Sequence, residues 1–184
     1  ECRQERKSKS NKRLISDLNR TSHRPKSPDS EEEAHQSALR YLSNRARSET
    51  GLITHLSSKG YSAAAREKAL GKLRSLNYIN DESFARSWAS SRAAGRNYGP
   101  KRIEQELRAK GVGQPLIRDV IGRTFAQGDE EKNAKNLLDK KFKGINLRDP
   151  KVLRRASAFL ARRGYSTQVI YSLIGRRGED DVEP

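Results

Sequence analysis

From residue 30 onward, apolar side chains recur at every third or fourth position and do not alternate with polar ones as they would in a strand. Leu39 and Leu42 lie three residues apart in the first stripe, and Leu70 and Leu73 do so in a later one. Residues with this spacing share one face of an α-helix. The pattern predicts nine helices and no strand, so the predicted fold class is all-α.

Helix start signals precede several of these stripes. "SEEE" at 30–33 has the form of a capping box, in which the Ser30 hydroxyl accepts from the backbone N–H of Glu33 and the Glu33 carboxylate reaches back. Pro100 and Pro150 stand where a first helical turn is predicted, a position that suits proline because the N–H it lacks would have no partner there. These signals divide the chain into short helices.

A short phrase ends three of the predicted helices: "LSSKGYS" at 56–62, "LRAKGVG" at 107–113 and "LARRGYS" at 160–166. In each, a leucine stands four residues before a glycine, and a basic residue stands immediately before that glycine. The glycine is expected just past the helix end in the left-handed conformation, where a β-carbon would be strained. Each phrase therefore predicts a helix-turn-helix joint whose leucine faces the core.

Three such joints, at Gly60, Gly111 and Gly164, predict tandem repeats, because apolar pairs also recur nine and ten residues after each glycine. We predict three-helix repeats at 30–77, 78–127 and 128–175, flanked by a flexible basic tail at 1–29 and an acidic C-terminal tail at 176–184. The basic tail has few large apolar side chains with which to offset the entropy of ordering. Stacked repeats that contact mainly their neighbours would form an elongated array.

The composition indicates a thin core and a class of binding partner. Hydrophobic residues make up 33% of the 184 residues, which allows only a thin core. The formal net charge of +16 favours a polyanionic partner. No apolar run reaches the roughly 20 residues that cross a bilayer, no N-terminal stretch resembles a signal peptide, and Cys2 is the only cysteine, so we expect a cytoplasmic protein. The chain begins with Glu1 and contains no methionine, so we also expect a fragment or a processed product.

The residue types that catalysis needs are sparse. His23, His35 and His55 have no Cys or Ser nucleophile at a recognised spacing, and HExxH, CxxC and Gly-rich phosphate-loop motifs are absent from the sequence. We therefore predict a protein that is not an enzyme and that holds neither a cofactor nor a metal ion. Binding is the activity that remains.

Basic residues supply the candidate binding surface. They concentrate between the fourth and fifth predicted helices and again on the eighth. Such a density of positive charge suits DNA phosphates or the acidic patches of a protein partner, although a merely solvated basic surface would have the same sequence. The candidate residues are Arg92, Arg96, Lys101, Arg102, Arg108, Lys110, Arg154, Arg155, Arg162 and Arg163.

The aromatic residues are interpreted mainly as core. The residues with apolar neighbours at helical spacing, which favours packing over ligand contact, are Phe84, Trp88, Phe125, Phe142 and Phe159. Tyr98 differs because it lies in the loop "GRNYGP" among basic residues, where a ring can stack on a base or pack against the start of a helix. The sequence leaves both roles of Tyr98 open.

The three joints, the segment "LNYINDESFARSWASSRAAGRNYGPKRIEQELRAKGV" at 76–112 and the final "LARRGYSTQVIYSLI" together resemble the RecX family, the regulators of the bacterial RecA recombinase. The resemblance extends over residues 35–175 and is weaker in the third repeat than in the second. The middle segment is its most specific part, since the positions that match the family pattern there are Tyr78, Asp81, Phe84, Ala85, Gly99, Ile103, Leu107 and Gly111.

The resemblance implies an elongated, curved all-helical protein that lodges in the groove of the RecA filament on single-stranded DNA. It also implies that the protein limits filament growth and the ATPase, strand-exchange and coprotease activities of RecA in DNA repair and the SOS response. Only weak binding to bare DNA and no membrane partner are expected, and a monomer would suit a rod that follows a helical groove. The alternative is a general nucleic-acid-binding protein that acts without a recombinase and binds bare nucleic acid tightly.

Overall fold

The computed structural model describes residues 25–145 and 149–179. Over these residues the chain forms nine α-helices, one 3₁₀ turn at Ala126–Gly128 and no strand, which confirms the predicted fold class. Most of the predicted basic tail, residues 1–24, and the acidic end, residues 180–184, lie outside the described residues. The helices are α1 Glu31–Asn44, α2 Glu49–Lys59, α3 Ala63–Ser75, α4 Asp81–Arg96, α5 Pro100–Ala109, α6 Gln114–Thr124, α7 Asp129–Lys141, α8 Pro150–Arg163 and α9 Thr167–Glu179.

The chain divides into two compact units, Glu1–Ile79 and Asn80–Pro184, and the first contains α1 to α3. Ser30, Ser48 and Ser62 begin these helices, and each side-chain oxygen accepts from the backbone N–H three residues later. Only half of the predicted capping box forms: the Ser30 N–H donates to the Ser27 carbonyl, and the Glu33 carboxylate accepts from the Ser27 N–H instead. The buried core consists of Ala34, Ala38, Leu52, Leu56, Tyr61, Ala65, Ala69, Leu70, Leu73 and Ile79.

The second unit holds two three-helix groups, α4 to α6 and α7 to α9, each with its own core. Of the aromatic residues predicted as core, Phe84 and Phe142 are each 7% exposed, whereas Trp88, Phe125 and Phe159 are partly buried and pack at the core edges. The buried residues of the first group are Phe84, Ala85, Ala89, Ala93, Ile103, Leu107, Val112, Ile117 and Val120. Those of the second are Ala134, Leu137, Leu138, Phe142, Val152, Ala156, Leu160, Tyr165 and Leu173.

The three glycine joints have one and the same hydrogen-bond geometry. Gly60, Gly111 and Gly164 adopt φ values of 95°, 75° and 88°, in the left-handed region. The N–H of the residue after each glycine donates to the carbonyl of the joint leucine, Leu56, Leu107 or Leu160, at 3.2 Å in all three cases. This is the Schellman arrangement, and all three leucines are fully buried, so the predicted joints are confirmed.

The described residues also cover parts of both predicted tails. Residues 25–29 form a turn, and the Pro28 carbonyl accepts from the Ser62 N–H at 2.9 Å. At the other end, α9 continues to Glu179, within the segment predicted as the acidic tail. None of the helices in the described part of the chain is long and apolar enough to cross a membrane.

His55 makes the stability of the first unit depend on pH. Its ring stacks on that of Tyr41 with centroids 3.9 Å apart, and burial, then the charges of Lys59 and Arg47, hold the pKa of His55 below its ordinary value. The folded state therefore disfavours the protonated imidazole, so stability is fully present above the unfolded pKa of about 6.5 and falls as the pH drops below it.

We expect a lower urea midpoint at about pH 5.5 than at about pH 7.5, with unfolding followed by circular dichroism. In His55→Phe, which keeps a ring against Tyr41 but cannot be protonated, this pH dependence should shrink. An equal pH dependence in the wild-type and variant proteins would contradict the assignment to His55.

Candidate functional site

The ten predicted basic residues all lie in the second unit, but only four of them line the same groove. Arg96 at the end of α4, Arg102 on α5, and Arg162 and Arg163 at the end of α8 line one groove of about 810 Å³. We call it the arginine groove. Its other lining residues are Gly95, Asn97, Tyr98 and Phe159.

The groove exists because the end of α8 docks on the beginning of α5. The Gly99 N–H donates to the Arg163 carbonyl at 2.8 Å, and the Lys101 N–H donates to the Gly164 carbonyl at 3.0 Å. The first N–H groups of one helix and the last carbonyls of another have no partners within their own helices, so these two ends satisfy each other. This backbone contact brings together residues more than 60 positions apart in sequence.

Glycine is required on both sides of this contact. A β-carbon at Gly99 would lie 2.6 Å from the backbone of Gly164, and one at Gly164 would lie well inside contact distance of the Arg102 backbone. Gly164 carries an additional requirement because its φ is +88°. The glycine that ends α8 therefore forms the joint to α9 and also permits the docking on α5.

Two side chains reinforce the backbone contact. The Tyr165 hydroxyl donates to the Asn97 carbonyl at 3.2 Å, and the Arg163 guanidinium donates to the Arg96 carbonyl at 2.6 Å. Burial raises the pKa of Tyr165 to about 12, so its hydroxyl stays a hydrogen-bond donor even at a pH where an exposed tyrosine would ionise. Asn97, in the left-handed conformation with φ of 52°, turns its carbonyl toward this donor at the end of α4.

Tyr98 packs against the core of α4 to α6 and lies beside two of the groove arginines. The guanidinium carbons of Arg102 and Arg163 are 5.2 and 5.6 Å from the centre of its ring. These are cation–π distances, so the ring holds the positive charges at the edge of the groove. Of the two roles left open by the sequence, packing at the helix start is the one observed, and base stacking stays a prediction.

The groove keeps most of its positive charge. Among the described residues, no carboxylate lies within 4.0 Å of Arg96, Arg162 or Arg163, and none lines the groove. Arg102 is 3.7 Å from the Glu106 carboxylate, but that carboxylate also accepts from the Arg92 guanidinium at 2.8 Å. The carboxylate is therefore shared, and the charge of the groove is only partly offset.

Two of the other predicted residues, Arg92 and Lys110, belong to a neighbouring cluster around Trp88. The Arg92 guanidinium and the Lys110 ammonium each lie 4.1 Å from the centre of the Trp88 ring, and the indole N–H donates to Glu106 at 3.0 Å. Arg108 is paired with Glu104 at 2.6 Å. Carboxylates thus engage Arg92 and Arg108. Lys101, Arg154 and Arg155 are exposed and lie outside the groove.

Besides Gly95, the groove residues that the sequence does not predict as binding residues are Asn97 and Phe159. Asn97 contributes through its left-handed backbone conformation. A single asparagine in a loop is not enough to predict that conformation from the sequence. The sequence assigns Phe159 to the core, and it also lies under the Arg163 guanidinium at 5.4 Å. The only signal for either residue is its position beside arginines in the sequence, which is a weak one.

Comparison with known proteins identifies the architecture. Family models described as the first, second and third three-helix domains of RecX match residues 34–73, 80–121 and 129–174, in that order. The chain belongs to the RecX family. The second RecX domain contains α4, α5 and most of α6, and the third contains α8, so the arginine groove lies between these two domains.

Relatives named regulatory protein RecX match most of this chain. That of Mycobacterium ulcerans is 35% identical over 152 residues, covering 80% of this chain and 86% of its own. That of Trichlorobacter lovleyi is 31% identical over 139 residues, covering 74% and 90%. A crystal structure of a regulatory protein RecX superposes with a TM-score of 0.69 at 28% identity, covering 79% of this chain and 73% of that one. RecX from Lactobacillus salivarius, at 21% identity, shares the fold with a TM-score of 0.69, covering 80% and 96%.

Proposed function

We propose that this RecX-family chain regulates a RecA recombinase by binding its filament on single-stranded DNA. The observation that carries the proposal is the ordered match of all three RecX three-helix domains over residues 34–174. Its main effect is inhibition: it limits filament growth and the ATPase, strand-exchange and coprotease activities of RecA. It acts by binding rather than by catalysis, in the cytoplasm, as a monomer and without a cofactor.

The arginine groove is the contact surface that we propose for this function. Arg96, Arg162 and Arg163 are cations without carboxylate partners among the described residues, so a polyanion has no internal ion pair to displace there. The planar guanidinium group of arginine can also donate two parallel hydrogen bonds to the oxygens of either a phosphate or a carboxylate. The surface fits a filament that presents DNA phosphates and acidic protein side chains together.

The same groove favours a second candidate function, general binding of nucleic acid without a recombinase. Arg163, which has no carboxylate partner among the described residues, lies beside the Tyr98 ring, and a cation next to an aromatic ring is typical of surfaces that bind single-stranded nucleic acid. This candidate predicts tight binding to bare DNA that weakens steeply as the salt concentration rises. The filament function requires only weak binding to bare DNA.

The test measures single-stranded-DNA-dependent ATP hydrolysis by the cognate RecA as this protein is titrated in at physiological salt. Binding to the same DNA alone is followed in parallel by fluorescence anisotropy. We expect hydrolysis to fall at protein concentrations too low to coat the bare DNA. Unchanged hydrolysis, or a loss that only follows occupancy of the bare DNA, would favour general nucleic-acid binding instead.

A further inference from the structure

A second cavity lies within the first unit, between α1 and α2, and has a volume of about 500 Å³. We call it the α1/α2 pocket. The residues from α1 are spaced three and four apart and so share one helix face, while the two from α2 are one turn apart. The lining residues are Ser37, Arg40, Tyr41 and Asn44 from α1, His55 and Lys59 from α2, and Tyr61 from the joint that follows.

The cations of this pocket have no carboxylate partners among the described residues. Among the described residues, no carboxylate lies within 4.0 Å of Arg40 or Lys59, and none lines the pocket. On α3, by contrast, Lys72 is paired with Glu31 at 2.7 Å, and Arg74 is paired with two glutamates. The pocket therefore presents positive charge that no described carboxylate pairs with.

The acidic residues closest in sequence to Arg40 do not neutralise it. Glu32 and Glu33 line an adjacent groove that shares Arg40 with the pocket. Glu32 accepts from the Gln36 side chain at 3.0 Å, and Glu33 accepts from the Ser27 N–H. Arg40 is left available to a ligand.

Ser37 places a hydroxyl on the wall of the pocket. The residue is 7% exposed, and its hydroxyl makes no hydrogen bond to a described residue. A helical serine commonly donates to the carbonyl four residues earlier, which here is that of Glu33. The Tyr61 hydroxyl already donates to that carbonyl at 3.1 Å. The Ser37 hydroxyl is therefore available to donate to a ligand in the pocket.

The aromatic ring in the pocket is not free to stack on a base. Tyr41 is covered by the His55 ring at 3.9 Å, and the Arg47 guanidinium lies 4.1 Å from the same ring centre. Two groups this close to one ring occupy its opposite faces. Recognition through a charged group is therefore favoured over recognition of a base, and Arg47 adds to the positive potential.

We propose that the α1/α2 pocket is an anion site that takes a phosphate group, held by Arg40, Lys59 and the Ser37 hydroxyl. Donors that converge from two facing helices suit the tetrahedral arrangement of phosphate oxygens, whereas the two coplanar oxygens of a carboxylate are satisfied by one guanidinium fork. The phosphate is carried either by a nucleic-acid strand or by a free nucleotide. The site lies in the first unit and does not depend on the proposed effect on RecA.

The experiment is a titration of the ¹⁵N-labelled full chain at constant ionic strength, with three probes used separately. They are inorganic phosphate, thymidine monophosphate and an oligothymidylate of about ten nucleotides. We expect the amide signals of Ser37, Asn44 and Lys59 to shift saturably. Ser37→Ala keeps the net charge and should not destabilise α1, because alanine has the highest helix propensity. It should weaken binding by about tenfold through the loss of the hydroxyl. Arg40→Gln and Lys59→Gln should each weaken it by about tenfold or more.

Lys68→Gln is the matched control, because it removes one positive charge from an exposed α3 side chain of the same unit. The affinity of Lys68→Gln for each probe should stay within about twofold of the wild-type affinity. Saturation by phosphate and the mononucleotide alone would identify a free nucleotide as the source, and tighter binding of the oligomer would identify a nucleic-acid strand. The proposal is overturned if none of the three probes shifts the pocket amides saturably, or if folded Ser37→Ala binds them as the wild type does.

Discussion

Gly164→Ala should reduce the free energy of unfolding of the second unit by about 3 kcal/mol or more. The left-handed φ of +88° costs a β-carbon about 1–2 kcal/mol. The new methyl group would also overlap the Arg102 backbone, so α8 must move away from α5. That movement gives up two backbone hydrogen bonds that contribute about 1 kcal/mol each.

Substitutions at two further glycines of the second unit distinguish the conformational cost of the positive φ from the cost of moving α8 away from α5. Gly128 has a φ of +82°, and no atom lies within 4 Å of the place that a β-carbon would take, so Gly128→Ala should show only the conformational cost of about 1 kcal/mol. Gly99 has an ordinary φ of −79°, but its β-carbon would lie 2.6 Å from Gly164, so Gly99→Ala should show only the cost of separating α8 from α5. We expect the loss in Gly164→Ala to exceed either single cost.

Urea unfolding followed by two signals provides the measurement. Trp88 is the only tryptophan and lies in the α4 to α6 group, while circular dichroism reports all the helices. If docking of α8 is lost, the α7 to α9 group should unfold before the Trp88 signal changes, so the two curves should separate in Gly164→Ala and Gly99→Ala. Equal losses in all three variants would show that the contact between α5 and α8 contributes little.

The joints could be predicted from the sequence because their physical cause is local. A leucine, a basic residue and a glycine within five positions indicate a Schellman turn, since its hydrogen bonds reach only one residue beyond the glycine. The helix starts at Ser48 and Ser62 are local in the same way. The capping box at Ser30 was half wrong because the turn that precedes it supplies a different acceptor, the Ser27 carbonyl.

The arginine groove could be predicted only as a set of basic residues, because its geometry depends on long-range contacts. Nothing in the sequence near Gly99 indicates that the end of α8 will dock there. Helical spacing does predict the pairing of Arg108 with Glu104, since they are four residues apart. It does not predict the pairing of Arg92 with Glu106, which lie on different helices.

Charge reversal within the arginine groove should abolish most of the proposed inhibition of RecA. In Arg96→Glu/Arg102→Glu/Arg162→Glu, a polyanionic partner loses up to three charge-assisted contacts, each worth about 1.5–3 kcal/mol, and meets three new negative charges. Even with strong non-additivity, the concentration needed for half-inhibition of the RecA ATPase should rise by about a hundredfold or more. Arg163 is left unchanged because its guanidinium also holds the Arg96 carbonyl.

The matched control is Lys101→Glu/Arg154→Glu/Arg155→Glu, which changes the net charge equally with exposed residues on two of the three helices concerned, α5 and α8. If a specific groove contact is responsible, this control should weaken inhibition by only about fivefold or less, through the general field of the protein. Equal losses in the two triple variants would mean that the overall positive charge attracts the partner. Circular dichroism and Trp88 fluorescence of both proteins establish that the comparison is made between folded chains, so a difference between them must come from where the charge lies.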